Sequence, residues 1–176
     1  MPGPRVFRNT VIRVSAINNV HADNDLLKVK KGDVVKYTLS DIVNILNAWS
    51  ETKDIKYYVI EHNENPDNIH FHIVISFSND SVCKFETIKN KFPYGDIEGC
   101  RYGVKLCVQY LIHMNHPDKH QYSWEDVITN APDRLENYKI PGKANENAKL
   151  KALLEKSVSG EIKECDMDKI ESQIYI

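Results

Sequence analysis

No apolar run in this 176-residue chain approaches the roughly 20 residues that a bilayer-spanning helix requires, so no membrane-spanning segment is expected. The segment from Met1 to Val20 carries Arg5, Arg8 and Arg13 without a continuous apolar stretch. That is not a secretory signal, and a cytoplasmic protein is the expectation. The four cysteines, Cys83, Cys100, Cys107 and Cys165, are irregularly spaced and form no CxxC. This argues against a zinc knuckle or a disulfide framework, and Cys107 reads as a small core residue of a helix. No GxxxxGK[ST] loop occurs, and Gly142-Lys143 lacks the spacing, which excludes a recognisable helicase motor. Repeats and low-complexity tracts are absent too.

Excess positive charge is also missing. The net charge of -2 argues against a protein that coats nucleic acid through bulk electrostatics. The negative balance is C-terminal: 15 Lys+Arg face 14 Asp+Glu up to Tyr122, and 8 face 11 thereafter. A local basic groove remains compatible with such a balance.

The remaining composition, 41% hydrophobic and 27% charged, is that of a globular domain with a core. Alternation and β-branched residues predict a strand from Val6 to Ile17, then a polar loop or hairpin to Asp33. Ser40 reads as the N-cap of a helix carrying Ile42, Val43, Ile45, Leu46 and Trp49. Strands follow at Ile55 to His62 and His70 to Phe77, joined by a turn rich in Asn, Pro and Asp. Asn79-Asp80-Ser81 is expected to cap a helix to Lys91. A short strand at Asp96 to Cys100 and a helix from Gly103 to Met114 complete the pattern. The order β-α-β-β-α-β-α predicts an α+β fold, an antiparallel sheet with helices packed mainly on one face. The domain is read as residues 1–130. Residues 131–176 form a polar helical segment, with helices at 145–157 and 166–174 and a linker at 139–147.

His70 and His72 stand at positions i and i+2 of a strand and therefore project to one face. Two imidazoles so placed can reach one metal ion, leaving a third ligand to be found on the neighbouring strand end, Ile60-Glu61-His62-Asn63-Glu64. A mixed N/O donor set admits Mn²⁺ and, less tightly, Mg²⁺. At about 100° per residue, Val104, Val108 and Leu111 form the core stripe of the later helix, flanked by Cys107 and Ile112. Lys105, Gln109 and His113 fall on the polar face, and Tyr110 on the boundary. A boundary tyrosine packs its ring while presenting its hydroxyl to a cleft. With a pKa of about 10, tyrosine is a weak nucleophile and needs an activated electrophile or a base. A divalent metal polarising a phosphodiester would supply the former.

His70-Phe71-His72 resembles the His-hydrophobic-His motif of the HUH endonucleases. These are the rolling-circle replication initiators of plasmids and single-stranded DNA viruses, with conjugative relaxases as relatives. Tyr110-Leu111-Ile112-His113, followed by His116-Pro117-Asp118-Lys119 and Gln121-Tyr122, is similar to the Tyr-Leu-x-His block of initiators from Gram-positive plasmids. The resemblance spans about residues 5 to 130. It implies an RRM-like (ferredoxin-like) nuclease fold and a site-specific single-strand DNA endonuclease and strand transferase. Such an enzyme binds single-stranded or supercoiled origin DNA, nicks it, keeps the 5′ phosphate as a phosphotyrosine and frees a 3′ hydroxyl. On that carry-over Tyr110 is the nucleophile, and His70 and His72 are metal ligands. Glu61 is the preferred third ligand, with Glu64 and His62 as alternatives, because turn register cannot be read from sequence. Lys105 and Lys119 are candidate phosphate contacts. A host helicase and polymerase are implied partners, and the C-terminal helices would serve self-association or open a further domain.

Two departures from the family pattern are visible. Where viral members often place a lysine three residues after the tyrosine, this chain has His113. Only one tyrosine fits the motif, which implies a single-tyrosine initiator. Three rivals compete: an RRM-like binding module without catalysis, with Tyr57 and Tyr58 as stacking platforms, and a relaxase or a single-strand transposase. Relaxases usually show a third clustered histidine, and none is expected here.

Overall fold

The computed structural model describes residues 5–23, 28–78, 81–101 and 103–140. The chain divides into two compact units, Met1–Lys139 and Ile140–Ile176, and the first holds every element described here. The predicted helices at 145–157 and 166–174, and most of the linker, lie outside the described residues.

In chain order the elements are β1 (Val6–Phe7), β2 (Asn9–Ser15), β3 (Ile17–Asn19), β4 (Val34–Lys36), α1 (Leu39–Thr52), β5 (Ile55–His62), β6 (His70–Phe77), β7 (Cys83–Lys84), α2 (Phe85–Lys91), β8 (Asp96–Gly99), α3 (Val104–Leu111), β9 (Ile128–Thr129) and α4 (Pro132–Lys139). A five-stranded antiparallel sheet in the order β8-β2-β6-β5-β9 forms the centre. The α+β fold is as the sequence predicts, and so is the β-α-β-β-α-β-α succession when only strands of the central sheet are counted (β2, α1, β5, β6, α2, β8, α3). The single first strand is instead three: β1 pairs with β7, and β3 folds onto β4 as a hairpin.

The helices do not favour one face, contrary to expectation. On one side α1 buries Ile42, Leu46 and Trp49, and α2 buries Ile88, against Ile12, Tyr57, Phe71, Ile73 and Ile75. On the other, Val108 and Leu111 of α3 and Leu135 of α4 cover Tyr58, Ile60 and Val74. The reason lies in β5 and β6. Their middle residues are apolar at consecutive positions, so both faces must be shielded from water. β5 adds Tyr58 and Ile60, and β6 adds Val74, to the face opposite the Phe71, Ile73, Ile75 and Phe77 stripe.

Local signals explain the helix ends. Thr38, not Ser40, is the N-cap of α1: Asp41 N–H donates to Thr38 Oγ1 at 3.2 Å, and Thr38 N–H donates to Asp41 Oδ2 at 2.8 Å. A capping box needs an acid three residues on, which Thr38 has and Ser40 lacks. The start of α2 is displaced to Phe85 because Cys83 and Lys84 are taken into the pairing with β1. Asn79 and Asp80 lie outside the described residues. At the start of α3 Gly103 has φ 84, a conformation open to glycine.

The end of α3 is set by its own backbone bonds. His113 N–H donates to Tyr110 C=O at 3.0 Å, and Met114 N–H to Gln109 C=O at 3.1 Å. This is a Schellman termination, with His113 rather than glycine in the left-handed conformation at φ 57. The helix therefore stops at Leu111 instead of Met114. α4 packs on α3, and Gln109 Nε2–H donates to Tyr138 C=O at 2.8 Å. Gln109, expected on a polar face, is buried as a result, and His113, also expected there, is buried against His62, Tyr110 and Tyr122.

Ile73, fully buried at the centre of β6, tests this arrangement. Ile73→Ala is expected to lower unfolding free energy by about 2–5 kcal/mol, read from urea denaturation at pH 7.5.

Candidate metal and nucleophile site

The register of β5 against β6 pairs His62 with His70 and Ile60 with His72. Side chains on one face of an antiparallel pair meet across the ladder, so three imidazoles converge on the α3 side of the sheet. Their candidate ligand atoms all lie within 4.8 Å of one another, and His70 Nε2 is 3.2 Å from His72 Nε2. Nitrogens bound to one ion at about 2.1 Å stand roughly 3–3.5 Å apart, so the closest pair already has ligand spacing.

Their hydrogen bonds orient two of the rings. A carbonyl only accepts, so the nitrogen facing it carries the proton. His62 Nε2–H donates to Leu111 C=O at 2.7 Å, leaving a lone pair on Nδ1. The acceptor is one of the carbonyls that the end of α3 leaves without a helical partner. His70 Nδ1–H donates to Asn68 C=O at 2.6 Å, leaving Nε2 free to coordinate, and Asn68 Oδ1 is held by Arg13 Nη2–H at 2.9 Å. His72 buries Nδ1 without a hydrogen-bond partner among the described residues. This is the supporting shell that fixes ring orientation in metal sites.

Electrostatics favour neutral imidazoles, the form a metal binds. Burial pushes His62 down to about 4 and His72 down to about 2, with the neighbouring histidines adding to the effect. Burial lowers His70 as well.

The third histidine corrects two expectations. Glu61 is not beside the pair. It stands opposite Phe71 and lines a separate cavity with Leu39 and Asn63. With a period of two along a strand, a residue next to one on the site face cannot share that face. His62, an alternative in the sequence reading, takes the place. The clustered third histidine held to be absent is therefore present.

Glu64 lies in the same cavity as the three histidines, about 450 Å³ in volume, which also takes in Arg13, Asn68, Tyr110, His113, Lys119 and His120. Its carboxylate accepts a hydrogen bond from the Tyr122 hydroxyl, which holds its pKa below the ordinary value. Tyr122 stacks flat on His62, with ring centroids 4.4 Å apart and planes 5° off parallel. Burial, together with the bond to Glu64, pushes Tyr122 up to about 12, so it stays a neutral donor.

Tyr110 is half-buried in the last turn of α3, its ring edge-on to His72 at 5.9 Å and to His113 at 5.4 Å. It also borders a second groove of about 670 Å³, lined by Val11, Arg13, Asp96, Glu98, Arg101 and Cys107. α3 covers the β5–β6 half of its face of the sheet, and this groove lies over the β2–β8 half. Cys107 is half-buried: it packs against the α3-side core, as expected, and also lines this groove. Lys119 reaches Tyr110 Oη at 2.7 Å, whereas Lys105 lines neither cavity.

Four participants escaped the sequence reading as site residues. Arg13 has no local signal, because only the β2–β6 register sets it opposite His72. Asn68 looked like a turn residue. His113 and Tyr122 lay within the recognised block, and Tyr122 could have been singled out as an aromatic close to Lys119.

Fold and site together define an α+β protein with a largely buried three-histidine cluster that could hold a metal beside a half-buried tyrosine. No family model, curated protein sequence or solved structure matches this chain.

His62→Ala is expected to weaken Mn²⁺ binding by more than the ~10–100-fold that loss of a supporting contact costs, while Glu61→Ala leaves it unchanged, measured by titration calorimetry. A second expectation concerns the metal-free fold. Folding lowers the pKa of His62 from 6.5 to about 4, so below 6.5 the unfolded chain takes up a proton that the folded one refuses. Stability therefore falls as pH drops from about 6.5 toward 4. Urea midpoints across that window will show it, and His62→Gln will flatten the slope.

Proposed function

We propose that this protein is a plasmid-type replication initiator. It nicks and rejoins single-stranded origin DNA in the cytoplasm by metal-assisted transesterification at Tyr110. The observation that carries the reading is that Tyr110 borders the cavity of His62, His70 and His72. A nucleophile and a Lewis-acid site thus stand either side of one space for a phosphodiester. The block containing Tyr110 and Lys119 adds the resemblance to plasmid initiators.

His62, His70 and His72 would hold a divalent ion, which when bound supplies positive charge to the non-bridging oxygens of the scissile phosphate. A donor set of three imidazoles, with Glu64 the carboxylate in the same cavity, favours Mn²⁺ over Mg²⁺, which prefers oxygen ligands. Tyr110 Oη bonds to phosphorus as the bond to the 3′ oxygen breaks, leaving a 5′-phosphotyrosine and a free 3′ hydroxyl. Reversal rejoins the strand. Arg13 and Arg101 are the cations placed to meet a phosphate at these cavities, interleaved with Asp96, Glu98 and Glu64. The 3′ end would then pass to a host polymerase, with a host helicase unwinding the template.

The binding-module alternative loses its stacking surface, since Tyr57 and Tyr58 are both in the core. The relaxase alternative gains from His62, which supplies the third clustered histidine. Against it stands the Tyr-Leu-x-His block.

Incubated with Mn²⁺ and a pool of single-stranded oligonucleotides that includes candidate origins, the wild-type protein is expected to form a covalent adduct on Tyr110. Denaturing gels and peptide mass spectrometry detect it. Tyr110→Phe and chelator should each abolish it. Metal-dependent cleavage that survives in Tyr110→Phe would make the protein a hydrolase instead.

A further inference from the structure

We infer that Lys119 is a catalytic residue of the strand transfer, acting on the oxygen of Tyr110 rather than on the DNA backbone. The inference rests on Tyr110 being the nucleophile. Lys119 Nζ donates to Tyr110 Oη at 2.7 Å and stands 4.9 Å from the centre of its ring. Among the described residues, Lys119 shares the histidine cavity with one other Lys or Arg, Arg13, whose guanidinium donates to Asn68 Oδ1.

An exposed lysine seldom holds one position, because fixing its long side chain costs rotamer entropy. Here the backbone that carries it is secured at several points. His113 terminates α3 in the left-handed conformation, and its Nδ1–H donates to His120 C=O at 2.7 Å. Lys119 N–H donates to His116 C=O at 3.0 Å. Gln121 Nε2 donates to the carbonyls of His116 and Lys119, each at 2.8 Å. Tyr122 then locks onto His62 and Glu64. The segment from residue 113 to 122 thus meets His62 at both ends and holds between them a cation on Tyr110.

The energetic logic is differential. A hydrogen bond from an exposed ammonium to a neutral phenol contributes little in the ground state. The same contact strengthens as negative charge develops on that oxygen, so the gain falls in the transition state. As the Tyr110–phosphorus bond forms and the phosphorus–3′ oxygen bond breaks, the phenol proton passes to water. The 3′ oxygen takes a proton from water, and Lys119 keeps its own throughout. In rejoining, the tyrosine oxygen is the leaving group and carries the same charge. One ammonium therefore assists both directions and leaves the balance between adduct and free strand unchanged.

The test uses an oligonucleotide that the wild-type protein cleaves with Mn²⁺, at saturating concentration in single turnover. An adduct on Tyr110 in the wild type verifies the nucleophile independently of Lys119, and its absence would refute that reading and this inference with it. Lys119→Met and Lys119→Gln are expected to slow adduct formation and rejoining by one common factor of about 10² or more, as for loss of an oxyanion donor. Lys119→Arg, which keeps the charge, should stay within about tenfold of wild type. Measured in a Tyr110→Phe background, oligonucleotide affinity should change less than about threefold on adding Lys119→Met. Melting temperature and Mn²⁺ affinity of the single variants should match wild type, since Lys119 is exposed and off the metal cluster. Wild-type rates at saturation in Lys119→Met, or a deficit lying wholly in oligonucleotide affinity, would overturn the inference and make Lys119 a phosphate contact.

Discussion

Everything at the site depends on the register of one hairpin. With His62 opposite His70, the three imidazoles share a face and α3 closes over them through the Leu111 carbonyl. Slipping β5 by one residue would exchange His62 for Glu61 and turn Tyr58 and Ile60 out of their core. The apolar residues on both faces of β5 and β6 oppose that slip, because each side of the sheet has its own helices to bury. Packing far from the histidines thereby sets which residue can become a ligand.

The termination of α3 is the second constraint. A left-handed histidine costs on the order of 1 kcal/mol, and glycine would occupy that position without strain. The ring of His113 repays this by filling the space between His62, at 4.6 Å, and Tyr110, at 5.4 Å. It also turns the chain so that the next ten residues double back across the site. Lys119 and Tyr122 arrive together because of that turn, one on the phenol oxygen and the other flat against a histidine.

These features bear on how the charge of the protein is used. In a chain of net charge -2, Arg13, Arg101 and Lys119 stand among Asp96, Glu98 and Glu64 at the two cavities that meet at Tyr110, and burial disfavours charge on His62, His70 and His72. The field at the candidate site is thus set by a few placed groups rather than by net charge.

Much of this was legible in the sequence. Alternation marked β2, β5 and β6, helical spacing marked α1 and α3, and their succession defined the α+β class. The spacing of His70 and His72 sufficed to put them on one face, because strand geometry is local. Tyr110 was identifiable as a boundary residue for the same reason. What local geometry could not provide was which residue of β5 faces them, which side of the sheet each helix covers, and what surrounds Tyr110. Glu61 is the ligand that the family resemblance implies at that strand end, and only the register shows that it faces the other way. Arg13 and Lys119 reach the site from 59 residues before His72 and nine residues after Tyr110, across strand pairing and a reversed loop. Identity and periodicity are written residue by residue, but register, burial and the return of the chain are settled by long-range packing, and only the tertiary structure holds that information.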